Sequence, residues 1–308
     1  MTHARPARTL ANWHCAMTSF VPETTRFPTG RPTIVAGISA SRFGSLGSSL
    51  EQAAAHEFFA TDVDLRRSLW TPSVASLCSR QRAGLVRMRT VWVPGSVTGQ
   101  LVERRTTRLW KFLDHAVARM GLRMVILPRS SEVGRGPFLG AELRRRMGAS
   151  APGAVRLAIG VKGSAVYRGH DQLDQLRSLR HTAEEWDLDI ALDLAGDVPH
   201  YLEAEAAVLR LLPRLTLVRI PSWVSASGEL NANDPISRRV VAILADQGYA
   251  GTISIVPAGS PLQLPWTRTY VSMNDEWTRS LILDQYDRQR TDDRPAPYIS
   301  PELFREQY

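Results

Sequence analysis

The sequence predicts an α/β fold, a single (β/α)8 TIM barrel, and three observations carry that prediction. The chain has 308 residues, enough for one large domain of the roughly 250 residues that such barrels need. From Pro32 onward it repeats one phrase: a short β-branched or apolar run, a small or polar residue, then an amphipathic stretch. The phrase recurs eight times. The expected organisation is a flexible N-terminal tail over residues 1–31, a barrel domain over 32–287 and a C-terminal tail over 288–308.

The expected strands are Thr33 to Ser39, Glu57 to Val63, Val86 to Val93, Arg123 to Leu127, Val155 to Val161, Asp189 to Leu194, Thr216 to Ile220 and Thr252 to Val256. Several are apolar at consecutive positions, as in Met124, Val125, Ile126 and Leu127. That pattern suits parallel strands buried on both faces better than hairpin strands with one wet face.

Between them the period changes to that of a helix. Leu109, Phe112, Leu113, Ala116 and Met120 recur at spacings of three and four, as do Ala204, Ala207, Val208, Leu211, Leu212 and Leu215, so each helix can lay one apolar stripe on the barrel. Gly121 and Gly248 follow such stripes, where glycine readily takes the left-handed conformation that ends a helix. Asp234 and Pro235 mark a helix start, a capping carboxylate followed by a residue suited to the first turn. Glu51 to His56 predicts only a very short helix, and Gly134 to Gly148 is glycine-rich for one. An open doubly wound sheet is the competing architecture, but Gly37, Gly44 and Gly47 lack the spacing of a dinucleotide-binding loop.

Composition narrows the function. No apolar run approaches the roughly 20 residues that cross a bilayer, which points to a soluble chain without a membrane partner. Cys15 and Cys78 stand alone, so neither a zinc ribbon nor a disulfide framework is expected, and a cytoplasmic location fits. The first 30 residues lack the apolar core of a secretory signal. Of 38 basic residues only Lys111 and Lys162 are lysines; arginine carries the net charge of +8, and it is spread along the chain. Nucleic acid is therefore the least supported partner.

In a barrel, function belongs at the carboxyl ends of the strands, where every loop faces one cavity. The candidates there are Ser39, Ser41 and Arg42; Asp62 and Asp64; Ser96; Arg129, Ser130 and Glu132; Lys162; Asp193 and Asp197; Arg219, Ser222 and Trp223; and Ser260. Arg42, Arg129, Lys162 and Arg219 can meet a phosphate or carboxylate and the aspartates can meet hydroxyls, so an anionic or polyhydroxylated small molecule is the expected partner. Alternatively these groups pair with one another across the barrel mouth and offset their own burial. Trp223 could stack on a sugar face or pack beneath a loop, and Trp92 and Trp266 share that ambiguity. His170 and His200 read as surface-loop histidines.

Three segments resemble the xylose-isomerase-like superfamily of sugar and sugar-phosphate isomerases and epimerases, which also includes DNA-repair enzymes of the endonuclease IV type. "LDIALDLAGD" is similar to the family's sixth strand with its aspartate, "LPRLTLVRIPSW" to the seventh strand with its His-x-Asp pair, and "YAGTISIVPAG" to the eighth strand ending in glutamate. The resemblance covers roughly residues 32 to 265. It implies a divalent metal held by side chains from several strands, yet only Asp193 keeps its place. The histidine three residues on is Gly196, the seventh-strand pair is Arg219 and Pro221, the fifth-strand glutamate falls at about Gly160 and the eighth-strand glutamate at about Val256. One aspartate cannot offset the dehydration of a divalent cation, so no metal and no cofactor is expected.

The resemblance implies a sugar-phosphate isomerase or epimerase, here metal-independent and of unknown substrate. In that reading Asp193 or Glu132 abstracts a proton while Lys162 or Arg219 steadies the developing oxyanion, and Arg42, Asp62, Arg129, Ser222 and Trp223 hold the ligand. The alternative is a catalytically inactive barrel that binds an anionic metabolite or a protein partner. A nucleic-acid binder related to endonuclease IV is the third reading; loss of the metal ligands removes its cleavage chemistry first.

Overall fold

The structure, a computed structural model, describes residues 31–39, 46–58, 60–65, 87–93, 102–128, 155–162, 172–195, 201–223, 235–256 and 273–291. Eight strands close into a barrel in the order of the chain, every neighbouring pair parallel. They are β1 (Thr33–Ser39), β2 (Ala60–Asp64), β3 (Arg87–Trp92), β4 (Met124–Pro128), β5 (Arg156–Lys162), β6 (Asp189–Asp193), β7 (Leu215–Pro221) and β8 (Thr252–Val256). Closure through β1 and β8 rules out the open sheet.

Among the described residues six helices surround the barrel: α1 (Leu46–Ala55), α2 (Val102–Met120), α3 (Gln172–Glu185), α4 (Tyr201–Leu211), α5 (Pro235–Asp246) and α6 (Met273–Thr291). The glycine-rich stretch 134–148 lies outside the described residues, as does residue 234. α5 does begin at Pro235. α6 continues to Thr291, past the expected start of the C-terminal tail at residue 288.

Side chains alternate between two cores. Residues such as Ile38, Val63, Val125, Leu192, Val218 and Ile253 point outward into one large cluster with the apolar stripes of the helices, including Phe112, Leu113, Val208 and Val240. Trp92, Met124, Ile126, Ala158, Ala191 and Leu217 form a second, smaller cluster that fills the barrel interior. Each large aliphatic or aromatic side chain buried in this way contributes about 1.5–3 kcal/mol, so the two cores together outweigh any single polar contact in holding the strands together.

Helix ends explain most boundary shifts. The Tyr249 N–H donates to Leu244 O and the Gly248 N–H to Ala245 O, a Schellman closure with Gly248 at φ +61°. Gly121, at φ +72°, also takes the expected left-handed conformation. The same paired bonds close α1, through Phe58 to Ala53 and Glu57 to Ala54, and α3, through Leu188 to Ala183 and Asp187 to Glu184. There the left-handed residues are Glu57 (φ 58°) and Asp187 (φ 49°), which carry a Cβ penalty that glycine avoids. Because Glu57 and Phe58 belong to this turn, β2 starts at Ala60 and not at Glu57, and Asp62 and Asp64 lie within the strand. α1 begins five residues earlier than expected, at Leu46, running through Gly47, Ser48 and Ser49. Leu215 begins β7 and is not part of the preceding helical stripe, because a 3-10 turn containing Pro213 ends the helix first.

Candidate functional site

The carboxyl-terminal halves of β2, β6, β7 and β8 bring one guanidinium and three carboxylates together inside the barrel. Register sets this up: Arg219 on β7 lies directly beside Asp193 on β6 and Ser254 on β8, and Asp62 lies beside Gly37 on β1 and Thr90 on β3. Arg219 is long enough to reach from β7 to β2. Its Nε lies 2.9 Å from Asp62 Oδ2, its Nη1 donates to Asp64 Oδ2 at 2.8 Å, and the same Nη1 lies 3.4 Å from Asp193 Oδ2.

Asp62 is the fixed centre of this group. Both of its oxygens are engaged: Oδ1 accepts from Thr90 Oγ1 and from Trp92 Nε1 at 2.9 Å, and Oδ2 accepts from Ser254 Oγ at 2.9 Å while facing Arg219. Burial pushes the Asp62 carboxyl above its ordinary range, and Asp64 adds to the rise; Arg219, Thr90 and Ser254 oppose it without cancelling it. For Arg219 burial acts in the other direction, but Asp193, Asp62 and Asp64 together outweigh it and hold the guanidinium charged, with its pKa raised. Asp193 also accepts a hydrogen bond from the Ala195 N–H at 3.2 Å, which fixes its carboxylate at the strand end.

The guanidinium is closed in from below by Trp92, whose ring centroid lies 5.2 Å from Arg219 Cζ. Trp92 has room because β5 carries Gly160 opposite it: a Cβ there would lie 2.5 Å from Trp92 Cζ3 and 2.9 Å from Ile126 Cγ2. On the other side of the barrel a Cβ at Gly37 would lie 2.7 Å from Val256 Cγ2 and 2.9 Å from Ser254 Oγ, so this glycine admits both β8 side chains. The result is a nearly closed site. Asp62 and Arg219 are 0% and 1% exposed, whereas Asp64 and Asp193 each keep 7%. Among the described residues Arg219 Nη2 is buried without a hydrogen-bond partner, and Nε, although within ion-pair distance of Asp62, is not aligned for a hydrogen bond.

The expected site residues divide into three groups. Asp62, Asp193 and Arg219 are brought together, joined by Asp64. Lys162 ends β5 with its backbone paired to Asp193. Arg42, Arg129 and Glu132 lie outside the described residues. Ser222 and Trp223 leave the barrel mouth and enter the helix layer. Ser222 Oγ shares a 3.1 Å hydrogen bond with Thr278 on α6, Trp223 N donates to Thr278 Oγ1 at 3.0 Å, and Trp223 Nε1 donates to Ser237 Oγ on α5 at 2.8 Å. Arg238 covers the Trp223 ring, its Cζ 5.5 Å from the centroid. The ring and the indole N–H of Trp223 are thus both engaged by α5, where packing beneath a loop or stacking on a ligand was expected.

Trp92, Thr90 and Ser254, the donors that hold Asp62, were not singled out for this role by the sequence. The available signal was strand parity: Thr90 and Trp92 fall on one face of β3, but which residue they meet depends on the curvature of the closed barrel.

The divalent metal implied by the resemblance does not fit these residues. A cation placed among the three aspartates would meet the guanidinium already there, and Gly160 and Val256 stand where further carboxylates would be needed. Among the described residues no three or more His, Cys, Asp or Glu side chains are spaced to hold a metal ion.

No protein-family model matches the chain. No curated protein matches it in sequence. Solved structures do match. D-allulose 3-epimerase from Methylomonas sp. is 15% identical with a TM-score of 0.52, over 84% of this chain and 99% of that one. An L-ribulose 3-epimerase is 13% identical with a TM-score of 0.52 over the same shares. D-psicose 3-epimerase from Clostridium cellulolyticum H10 is 10% identical with a TM-score of 0.50, over 82% of this chain and 98% of that one. No helix among the described residues is long and apolar enough to cross a membrane. The chain therefore has a closed (β/α)8 barrel, the fold that it shares with these three epimerase structures.

Proposed function

We propose that the chain is a metal-independent isomerase- or epimerase-like protein for a polyhydroxylated small molecule, sugar phosphates included, bound at the carboxyl end of the barrel. The observation that carries this reading is the gathering of Asp62, Asp64 and Asp193 around Arg219 at the carboxyl end of the barrel, where the fold collects its ligands. Asp64 and Asp193, the two less completely buried carboxylates at 7% exposure each, are the candidates to meet ligand hydroxyls. Asp193 then takes a proton from the carbon next to a ligand carbonyl, and the electron pair moves onto the carbonyl oxygen. Lys162, next to Asp193 in register, is the candidate to steady that oxyanion. Glu132 is the candidate to return a proton to the opposite face or the neighbouring carbon.

The test uses chelator-treated protein in deuterated water with a panel of ketohexoses and their 6-phosphates. Deuterium entering the sugar, reduced at least about 100-fold by Asp193→Asn, supports proton transfer by this residue. A second reading, an inactive barrel that binds without turnover, is favoured by the near-complete burial of Arg219 and Asp62. Binding of a panel member without deuterium uptake selects it. Neither binding nor exchange for any member rejects both readings.

A further inference from the structure

We propose that Arg89 and Arg123, near the amino-terminal ends of β3 and β4 and outside the carboxylate cluster, form a seat for a phosphate group. The inference does not depend on turnover at the carboxyl end and holds equally for a binding protein.

Backbone geometry places the two arginines side by side. Arg123 stands just before β4, and its N–H donates to Arg89 O at 2.9 Å, one step ahead of the register pair Thr90 and Met124. Arg89 also stands at an irregularity of β3: Thr61 pairs with Met88 and Asp62 with Thr90, so Arg89 has no partner on β2. Such a bulge re-aims a side chain. Like charges on neighbouring strands repel, and burial together with the Arg123 charge pushes the Arg89 guanidinium below its ordinary value.

The other arginines of this rim are matched by carboxylates. Arg156 opens β5 and meets Asp189 of β6 at 2.7 Å, Arg214 stands just before β7 and meets Asp187 at 3.4 Å, and Arg31, before β1, pairs with Asp287 of α6. Arg87, which opens β3, lies at the carbonyl end of α2, a favourable place for a cation: a Cβ at Gly121 would lie 3.6 Å from its Cδ. Among the described residues neither Arg89 nor Arg123 has a carboxylate or another hydrogen-bond acceptor, although Arg89 is half-buried. A doubly charged tetrahedral oxyanion suits this corner, because two guanidinium forks can share its oxygens and its charge offsets both cations at once.

The full-length protein, Arg89→Met, Arg123→Met and, as a control with the same change of charge, Arg31→Met are melted in sodium phosphate and in sodium chloride of matched ionic strength. The natural chain and Arg31→Met are expected to melt about 5 °C higher in phosphate at a hundredfold excess over its Kd than in chloride. Calorimetric binding of inorganic phosphate should weaken at least about tenfold in Arg89→Met and in Arg123→Met. In chloride both of these variants should melt no lower than the natural chain, because methionine keeps the aliphatic stem and removes the repulsion. Phosphate that stabilises the natural chain no more than chloride overturns the proposal. So does a phosphate response that survives in either variant, which would put the anion elsewhere, or a variant that melts well below the natural chain in chloride, which would give the arginines a structural role.

Discussion

Replacing Arg219 by leucine keeps much of the side-chain volume and removes the positive charge that Asp62, Asp64 and Asp193 share. Unit charges about 4 Å apart attract by about 4 kcal/mol at an effective dielectric of about 20. Part of that attraction offsets the dehydration of the four groups, and removing one partner of a buried ion pair costs about 3–5 kcal/mol. The cost should depend on pH. In Arg219→Leu the Asp62 carboxyl loses the charge that opposes its rise, so it binds a proton still more tightly than in the unfolded chain, where an aspartate titrates near 3.9. A carboxyl raised in the folded state contributes most below the unfolded value, and stability then falls as pH rises through the folded one. The Asp62 carboxyl of the natural chain already has this sign, with Arg219 opposing it. The deficit of the variant should therefore be small below about pH 4 and grow to about 3–5 kcal/mol near pH 8. Urea midpoints measured across this range, with the m-value unchanged, read it directly. A deficit equal at both ends of the range, or one below about 1 kcal/mol near pH 8, would refute the ion-pair account.

Gly160→Ala places a methyl group 2.5 Å from Trp92 Cζ3 and should cost about 1–3 kcal/mol through overpacking, partly recovered by Trp92→Phe; thermal melts of the single and double variants check it. Glu57→Gly should raise stability by up to about 1 kcal/mol, because glycine relieves the left-handed strain at φ 58° and the exposed ion pair lost to Arg279 is worth less than that. Trp223→Phe removes the hydrogen bond to Ser237 and should lower the urea midpoint while leaving the affinity for any bound ketohexose unchanged. A weakened affinity at full folding would return Trp223 to the ligand site.

The barrel was legible because its signals are local. Apolar runs such as Met124 to Leu127 report strands buried on both faces, and Gly121, Gly248 and Pro235 mark helix ends by backbone preference alone. Signals failed where two local readings compete. Gly47, Ser48 and Ser49 look like loop residues but lie inside α1, and Leu215 fits the helical period but is cut off from it by Pro213. Asp62, Asp193 and Arg219 were identified by their places on strands, and pairing across the barrel mouth was one of the two roles open to them, but which carboxylates the guanidinium meets was not legible. A lone arginine at a strand end reads as an anion binder, and only closure of the barrel shows that it reaches across from β7 to β2. The partnership of Trp92 with Gly160 is a contact between β3 and β5 inside the barrel, and no spacing along the chain encodes it.

The most direct test of the central claim is a double-mutant cycle between Arg219 and Asp64, the pair joined at 2.8 Å, with leucine at both positions near neutral pH. The account predicts that the double variant is more stable than the sum of the single losses implies, by about 2 kcal/mol, since the contact between the two groups is lost in either single variant and cannot be lost twice. Losses that add to within about 0.5 kcal/mol would show that the guanidinium and the carboxylate do not interact in the folded protein.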